Sequence, residues 1–161
     1  MSGIIGGVGS RSGVIGNTES RITFDADGWY NTFTGNIDHT GGAGVIPFAD
    51  TTLGSNITET AGAGHGRVTI GTTGLYMIYV NLANNAAQDV ACHIYLRLDQ
   101  TQIQDRFYNE SPGGTPYQVF SMLKFVEISA GQDIDVYGSG EWYGTTGTNN
   151  MSYWTGVRIG A

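Results

Sequence analysis

Charge is scarce in this 161-residue chain: only 13% of its residues are Asp, Glu, Lys or Arg, against roughly 25% in ordinary soluble domains. Seven basic residues face fourteen acidic ones, for a net charge of −7. That balance leaves no broad basic patch, so neither nucleic acid nor an anionic membrane surface is an expected partner. There is a single cysteine, Cys92, and no intrachain disulfide can form. Strand-like alternation groups Cys92 with Val90, Ile94 and Leu96, which makes it a buried, inert thiol. No apolar run approaches the roughly 18 residues of a membrane-crossing helix. No basic stretch followed by an apolar one opens the chain, so the expectation is neither a signal peptide nor a membrane span.

Chemistry-bearing motifs are also missing. There is no Gly-x-Ser-x-Gly elbow and no His-Glu-x-x-His. His39, His65 and His93 lie far apart, and none has metal-ligand spacing. On a strand His93 points away from its neighbour Cys92. The chain is therefore expected not to be an enzyme and to need no cofactor. Asp133 and Asp135, two apart on one strand face, are the weak exception: a calcium site or, alternatively, solvated carboxylates.

Glycine, by contrast, is abundant, at 26 residues. Residues 1–20 hold a near-repeat, Ser2-Gly3-Ile4-Ile5-Gly6 and Ser12-Gly13-Val14-Ile15-Gly16. So glycine-rich a segment has no core of its own and loses much entropy on ordering. Ile4, Ile5, Val14 and Ile15 read as apolar plugs that order on a partner surface; a flexible linker containing aliphatics is the alternative. Residues 21–41 form a connector, with Ile22-Thr23-Phe24 strand-like, Asp25–Gly28 a turn, and an aromatic group of Trp29, Tyr30 and Phe33. From residue 42 to 161 short β-type runs alternate with Gly, Asn and Asp, and no segment carries a 3.6-residue period. The runs are 44–48, 56–58, 67–70, 75–82, 90–98, 101–107, 119–128, 133–137 and 152–159. One all-β domain of sandwich, jelly-roll or barrel type follows.

The central run is Gly74-Leu75-Tyr76-Met77-Ile78-Tyr79-Val80-Asn81-Leu82. Tyr76, Ile78, Val80 and Leu82 share one face and read as core. Leu75, Met77, Tyr79 and Asn81 share the other, and that face is apolar enough to need a second covering layer.

Three phrases resemble the tumour-necrosis-factor superfamily and the related complement first-component globular head. They are Gly74-Leu75-Tyr76-Met77-Ile78-Tyr79, Phe125–Ile134 around Gly131-Gln132-Asp133, and the closing Tyr153-Trp154-Thr155-Gly156-Val157-Arg158-Ile159. The resemblance covers residues 44–161 and implies an antiparallel jelly-roll sandwich that assembles as a homotrimer. It places Met77, Tyr79 and Trp154 on the threefold axis. Arg158 shares parity with Trp154 where that family prefers an apolar residue, so it either reaches the axis or pairs with a neighbouring copy's carboxylate. The leader Gly9-Ser10-Arg11-Ser12-Gly13-Val14-Ile15-Gly16 resembles the opening of many structural proteins of tailed bacteriophages. It implies a docking arm, with the major capsid protein or another virion protein as partner. The function implied is a capsid decoration or cement protein, assembled in the host cytoplasm and exposed on the virion surface. The alternative is a short tail fibre or receptor-binding tip, whose loops 111–117 and 142–150 would contact host glycans.

Overall fold

The computed structural model describes residues 24–48, 50–59, 66–84, 91–104, 107–110, 119–144 and 152–161. The docking residues Ile4, Ile5, Val14 and Ile15 lie outside them, as do loop residues 111–118 and 145–150.

A single helical turn, α1 (Phe24–Asp27), leads into twelve antiparallel strands. In chain order these are β1 (Gly28–Thr32), β2 (Asn36–Val45), β3 (Asp50–Leu53), β4 (Ile57–Glu59), β5 (Val68–Ile70), β6 (Gly74–Asn84), β7 (Ala91–Leu98), β8 (Thr101–Gln102), β9 (Phe107–Glu110), β10 (Val119–Ile128), β11 (Asp133–Tyr143) and β12 (Tyr153–Gly160). Pairing is continuous but folds over into two layers. One layer runs β3-β1-β12-β6-β10. In the other, β11 pairs with β2 and β5 along one edge and β7 along the other, and β4 and β9 lie outside β5 and β7. The layers join where Trp142 and Tyr143 meet Asn84 and Ala83.

Period-two alternation fills the space between the layers. Tyr76, Ile78, Val80 and Leu82 of β6 are buried there with Phe120 and Met122 of β10, Ile94 and Leu96 of β7, and Ile134, Val136 and Trp142 of β11. Cys92 joins this core as a buried thiol.

Two strands run well beyond the spans read from sequence, and both differences turn on glycine. β2 begins at Asn36, passing through Gly41-Gly42, and β11 continues past Gly138 to Tyr143. Glycine pairs look like breaks, yet here they carry a register shift between Gly138 and Gly140 against β2. Gly140 sits at φ +117°, and a Cβ there would meet Cys92 Sγ at 2.6 Å. Such a bulge admits glycine where a side chain would clash.

The connector is also different. Residues 28–45 largely pair into the same sheets, so the part of the connector from residue 28 on contributes strands to the domain. Phe24 opens a helical turn instead of extending a strand, and the alternation of β1 splits the aromatic group. Trp29 and Phe33 are buried in the core, whereas Tyr30 faces outward.

Candidate functional site

The outer face of the β1/β12/β6/β10 layer is the first candidate. Registered neighbours share a face, and the rows can be read across the strands. Leu75 stands opposite Glu127, Met77 opposite Phe125 and Val157, and Tyr79 opposite Leu123 and Thr155, with Tyr30 beyond. Asn81 stands opposite Ser121 and Tyr153. Among the described residues, Val119, Leu123 and Phe125 are the large hydrophobics most open to solvent, with more than half of each exposed. Beside them Met77 and Tyr79 are half-buried. The result is an apolar belt across three strands, bounded on one side by polar groups. There Ser121 Oγ donates to Asn81 Oδ1 at 2.9 Å, and the Tyr79 hydroxyl lies 3.2 Å from Ser121 Oγ. Tyr153 stacks on Tyr30 with centroids 5.5 Å apart. Burial first, then its proximity to Tyr79, raises the Tyr153 phenol above the ordinary tyrosine range.

Met77 and Tyr79 lie on this face as the sequence suggested. Trp154 does not. The antiparallel register sets Trp154 opposite Val80, a core position, and Trp154 is fully buried, edge-on to Trp29 at 5.1 Å. Its indole N–H donates to Asn31 at 3.2 Å when that amide is oriented with Oδ1 towards it. Arg158 is likewise opposite Tyr76, on the inner side, and not on the outer face. It pairs within its own chain, with Nη1 3.4 Å from Asp27 Oδ2. Its side chain crosses Gly74, where any Cβ would collide with Arg158 Nε and the Gly160 carbonyl. Phe125 and Leu123 went unread because an alternating strand does not say which of its faces turns outward.

The Asp27–Arg158 pair closes one end of the sandwich. Asn56 Nδ2 donates to Asp27 Oδ1 at 2.8 Å. Burial opposes ionisation of Asp27, but hydrogen bonds from Asn56, Thr72 and Arg158 together outweigh it and hold the carboxyl below its usual range. Alongside, the Tyr76 hydroxyl donates to the Thr72 carbonyl at 2.7 Å. Burial, reinforced by the Asp27 carboxylate, pushes the Tyr76 phenol up to about 12, Arg158 opposing. Folding then retains a proton on Tyr76 that the unfolded chain loses near pH 10. Its contribution is present below pH 10 and lost as pH rises through about 12. In alkaline unfolding curves Tyr76→Phe should flatten the decline between these values, and absorbance titration should show one tyrosine fewer ionising late.

The outer face of the second layer holds a different cluster, which the sequence reading missed. Asp135 is nearly fully buried. It accepts from Arg97 Nε at 2.7 Å and Arg97 Nη2 at 2.9 Å, and from Arg67 Nε at 3.1 Å. Asp133 accepts from the Thr69 hydroxyl at 2.6 Å. Asp133 and Asp135 therefore hold β5 and β7 onto β11, and the calcium reading fails: Asp135 is taken by two arginines. Among the described residues no group of His, Cys, Asp and Glu could hold a metal ion. Trp142, at the start of the 142–150 loop expected to contact glycans, is fully buried against Phe120 instead.

No family model and no curated protein matches the sequence. Solved structures do match in shape. Murine APRIL aligns with a TM-score of 0.59 at 11% identity, over 82% of this chain and 98% of that one. Eiger TNF from S. frugiperda aligns at 0.55 and 16% identity, over 83% and 91%, and rabbit GITRL at 0.51 and 17%, over 83% and 93%. At such identities the likeness is one of fold alone: the chain is an all-β antiparallel jelly-roll sandwich of the tumour-necrosis-factor-like type.

Proposed function

We propose that the protein is a non-enzymatic structural component of a tailed-bacteriophage particle, a homotrimer that decorates the capsid and docks through its N-terminal arms. The observation that carries the trimer is the outward apolar belt of Met77, Leu123, Phe125 and Val157. Its exposed members are contiguous, and such a belt marks an association surface. Copies of the same chain cover it: β10 offers Leu123 and Phe125, β6 offers Met77 and Tyr79, and a closed threefold ring brings the three equivalent belts together about one axis. Trimeric assembly and the virion location are what the family and leader resemblances imply.

The arms supply the docking. Three copies of the repeated Gly-Ile-Ile-Gly and Gly-Val-Ile-Gly segments, tethered to one knob, multiply weak individual affinities. The partner is the major capsid protein or another virion protein, contacted by Ile4, Ile5, Val14 and Ile15. Apolar contacts made across capsomer boundaries would resist internal pressure. Deleting residues 1–20 should leave the oligomeric state and melting temperature unchanged while abolishing co-sedimentation with undecorated capsids. Undiminished capsid binding would overturn the docking role. Host-cell binding by the truncated head, without capsid binding by the full chain, would favour the receptor-binding tip.

A further inference from the structure

The cluster around Asp135 borders a hollow that the proposed assembly does not use. It opens on the outer face of the second layer, away from the apolar belt, and has a volume of about 320 Å³. Its lining is Ala43, Tyr95, Arg97, Gln100, Gln102 and Tyr137. The sheet register explains the grouping, because Tyr95 stands opposite Tyr137 and Arg97 opposite Asp135. Gln100 comes from the β7–β8 turn, in which Asp99 and Gln100 take the left-handed conformation at φ 47° and 64°, and Gln102 from β8, opposite Arg97.

The arrangement is built and held. The Arg97 guanidinium lies 3.9 Å from the Tyr137 ring centroid, stacked on its face. Its Nε and Nη2 are engaged by Asp135, which is itself fixed from the other side by Arg67. Two arginines share the Asp135 carboxylate, and the Asp133 and Asp99 carboxylates lie nearby, so the attraction for an anion comes from the Arg97 edge itself rather than from a net positive charge. Among the described residues Arg97 Nη1 makes no hydrogen bond to protein, so one edge of an oriented guanidinium remains for an acceptor. The Tyr137 hydroxyl donates to the Ala43 carbonyl at 2.8 Å, locking the floor. Gln102 Nε2 donates to the Gln104 carbonyl at 3.0 Å, which leaves its Oε1 as an acceptor. Tyr95, tilted against Tyr137 with centroids 6.3 Å apart, supplies an apolar ring face at the wall.

A flat apolar face, a pinned guanidinium and side-chain amides match one ligand chemistry well. A pyranose ring presents C–H groups to an aromatic face and hydroxyls to amides, and a ring carboxylate takes the guanidinium edge. We infer that this hollow binds an acidic sugar, a pyranose bearing a carboxylate, at the end of a surface polysaccharide or glycan. The site does not depend on the virion assignment or on the N-terminal arm. Because Asp135 already orders Arg97, little side-chain freedom is lost on binding.

The test titrates the full-length protein with methyl glucuronide, methyl glucoside and sodium acetate, followed by NMR chemical-shift changes. The glucuronide should bind at least tenfold more tightly than either the neutral sugar or acetate. Raising salt should weaken it, because part of the attraction is ionic. Tyr95→Ala should reduce glucuronide affinity at least tenfold with the oligomer and melting temperature intact. Gln100→Ala, on the exposed turn, provides a second variant that leaves the Asp135 cluster untouched, with a several-fold loss expected. Arg97→Gln should remove the preference for acid over neutral sugar. Equal binding of glucuronide and glucoside, no binding of either, acetate binding as tightly as the glucuronide, or an unchanged affinity in Tyr95→Ala would each overturn the assignment.

Discussion

Replacing both Leu123 and Phe125 with aspartate should convert the assembled protein into folded monomers. The wild-type chain should sediment at three times its 17.1 kDa mass, and the double variant at one times that mass. Leu123 and Phe125 are 52% and 53% exposed in the isolated chain. Completing the burial of each is therefore worth on the order of 1 kcal/mol, or roughly 6 kcal/mol over three copies. The aspartates remove that gain and add carboxylates with no partner in an apolar interface, at several kcal/mol more. Neither side chain contributes to the sandwich core, so circular dichroism and the monomer's cooperative melt should persist. A wild-type chain that sediments as a monomer at about ten micromolar would end the trimer proposal.

Trp154→Ala should have the largest effect on folding itself. Truncating a fully buried tryptophan costs roughly 3–5 kcal/mol. For a chain of this length that corresponds to a fall in melting temperature of about 6–20 °C. Trp154 packs on Trp29 and Phe48 and donates its indole N–H to Asn31, all within one chain. The same loss should therefore appear when Trp154→Ala is placed on the monomeric Leu123/Phe125 background. A loss confined to the oligomer would return Trp154 to the threefold axis and contradict the register described above.

Much of the fold was legible because it rests on local pattern. The alternation in 74–82 correctly separated Tyr76, Ile78, Val80 and Leu82 from Met77 and Tyr79, since side-chain period along a strand is independent of its neighbours. Cys92 was placed in the core on the same grounds. What misled was whatever depends on two strands at once. Parity within 153–160 is visible in sequence, but whether Trp154 meets Val80 or Tyr79 is set by register, and a slip of one residue exchanges the two faces. Gly138 and Gly140 read as a strand end because glycine usually weakens strands; only the nearby Cys92 shows that they make room for a bulge.

The candidate sites divide in the same way. That one face of β6 needs a cover was present in its residues. That Leu123 and Phe125 extend it came only from the pairing of β10 with β6, a contact between segments some forty residues apart. Arg67, Arg97 and Asp135 carry no motif, because no local spacing brings three separate strands together. The sequence by itself determined an all-β chain with a buried stripe and an unsatisfied opposite stripe, for those follow from side-chain period and hydrophobicity. The tertiary structure alone decided which residues lie across from one another, and hence where charge and aromatic rings converge, because antiparallel register is settled by packing between distant segments.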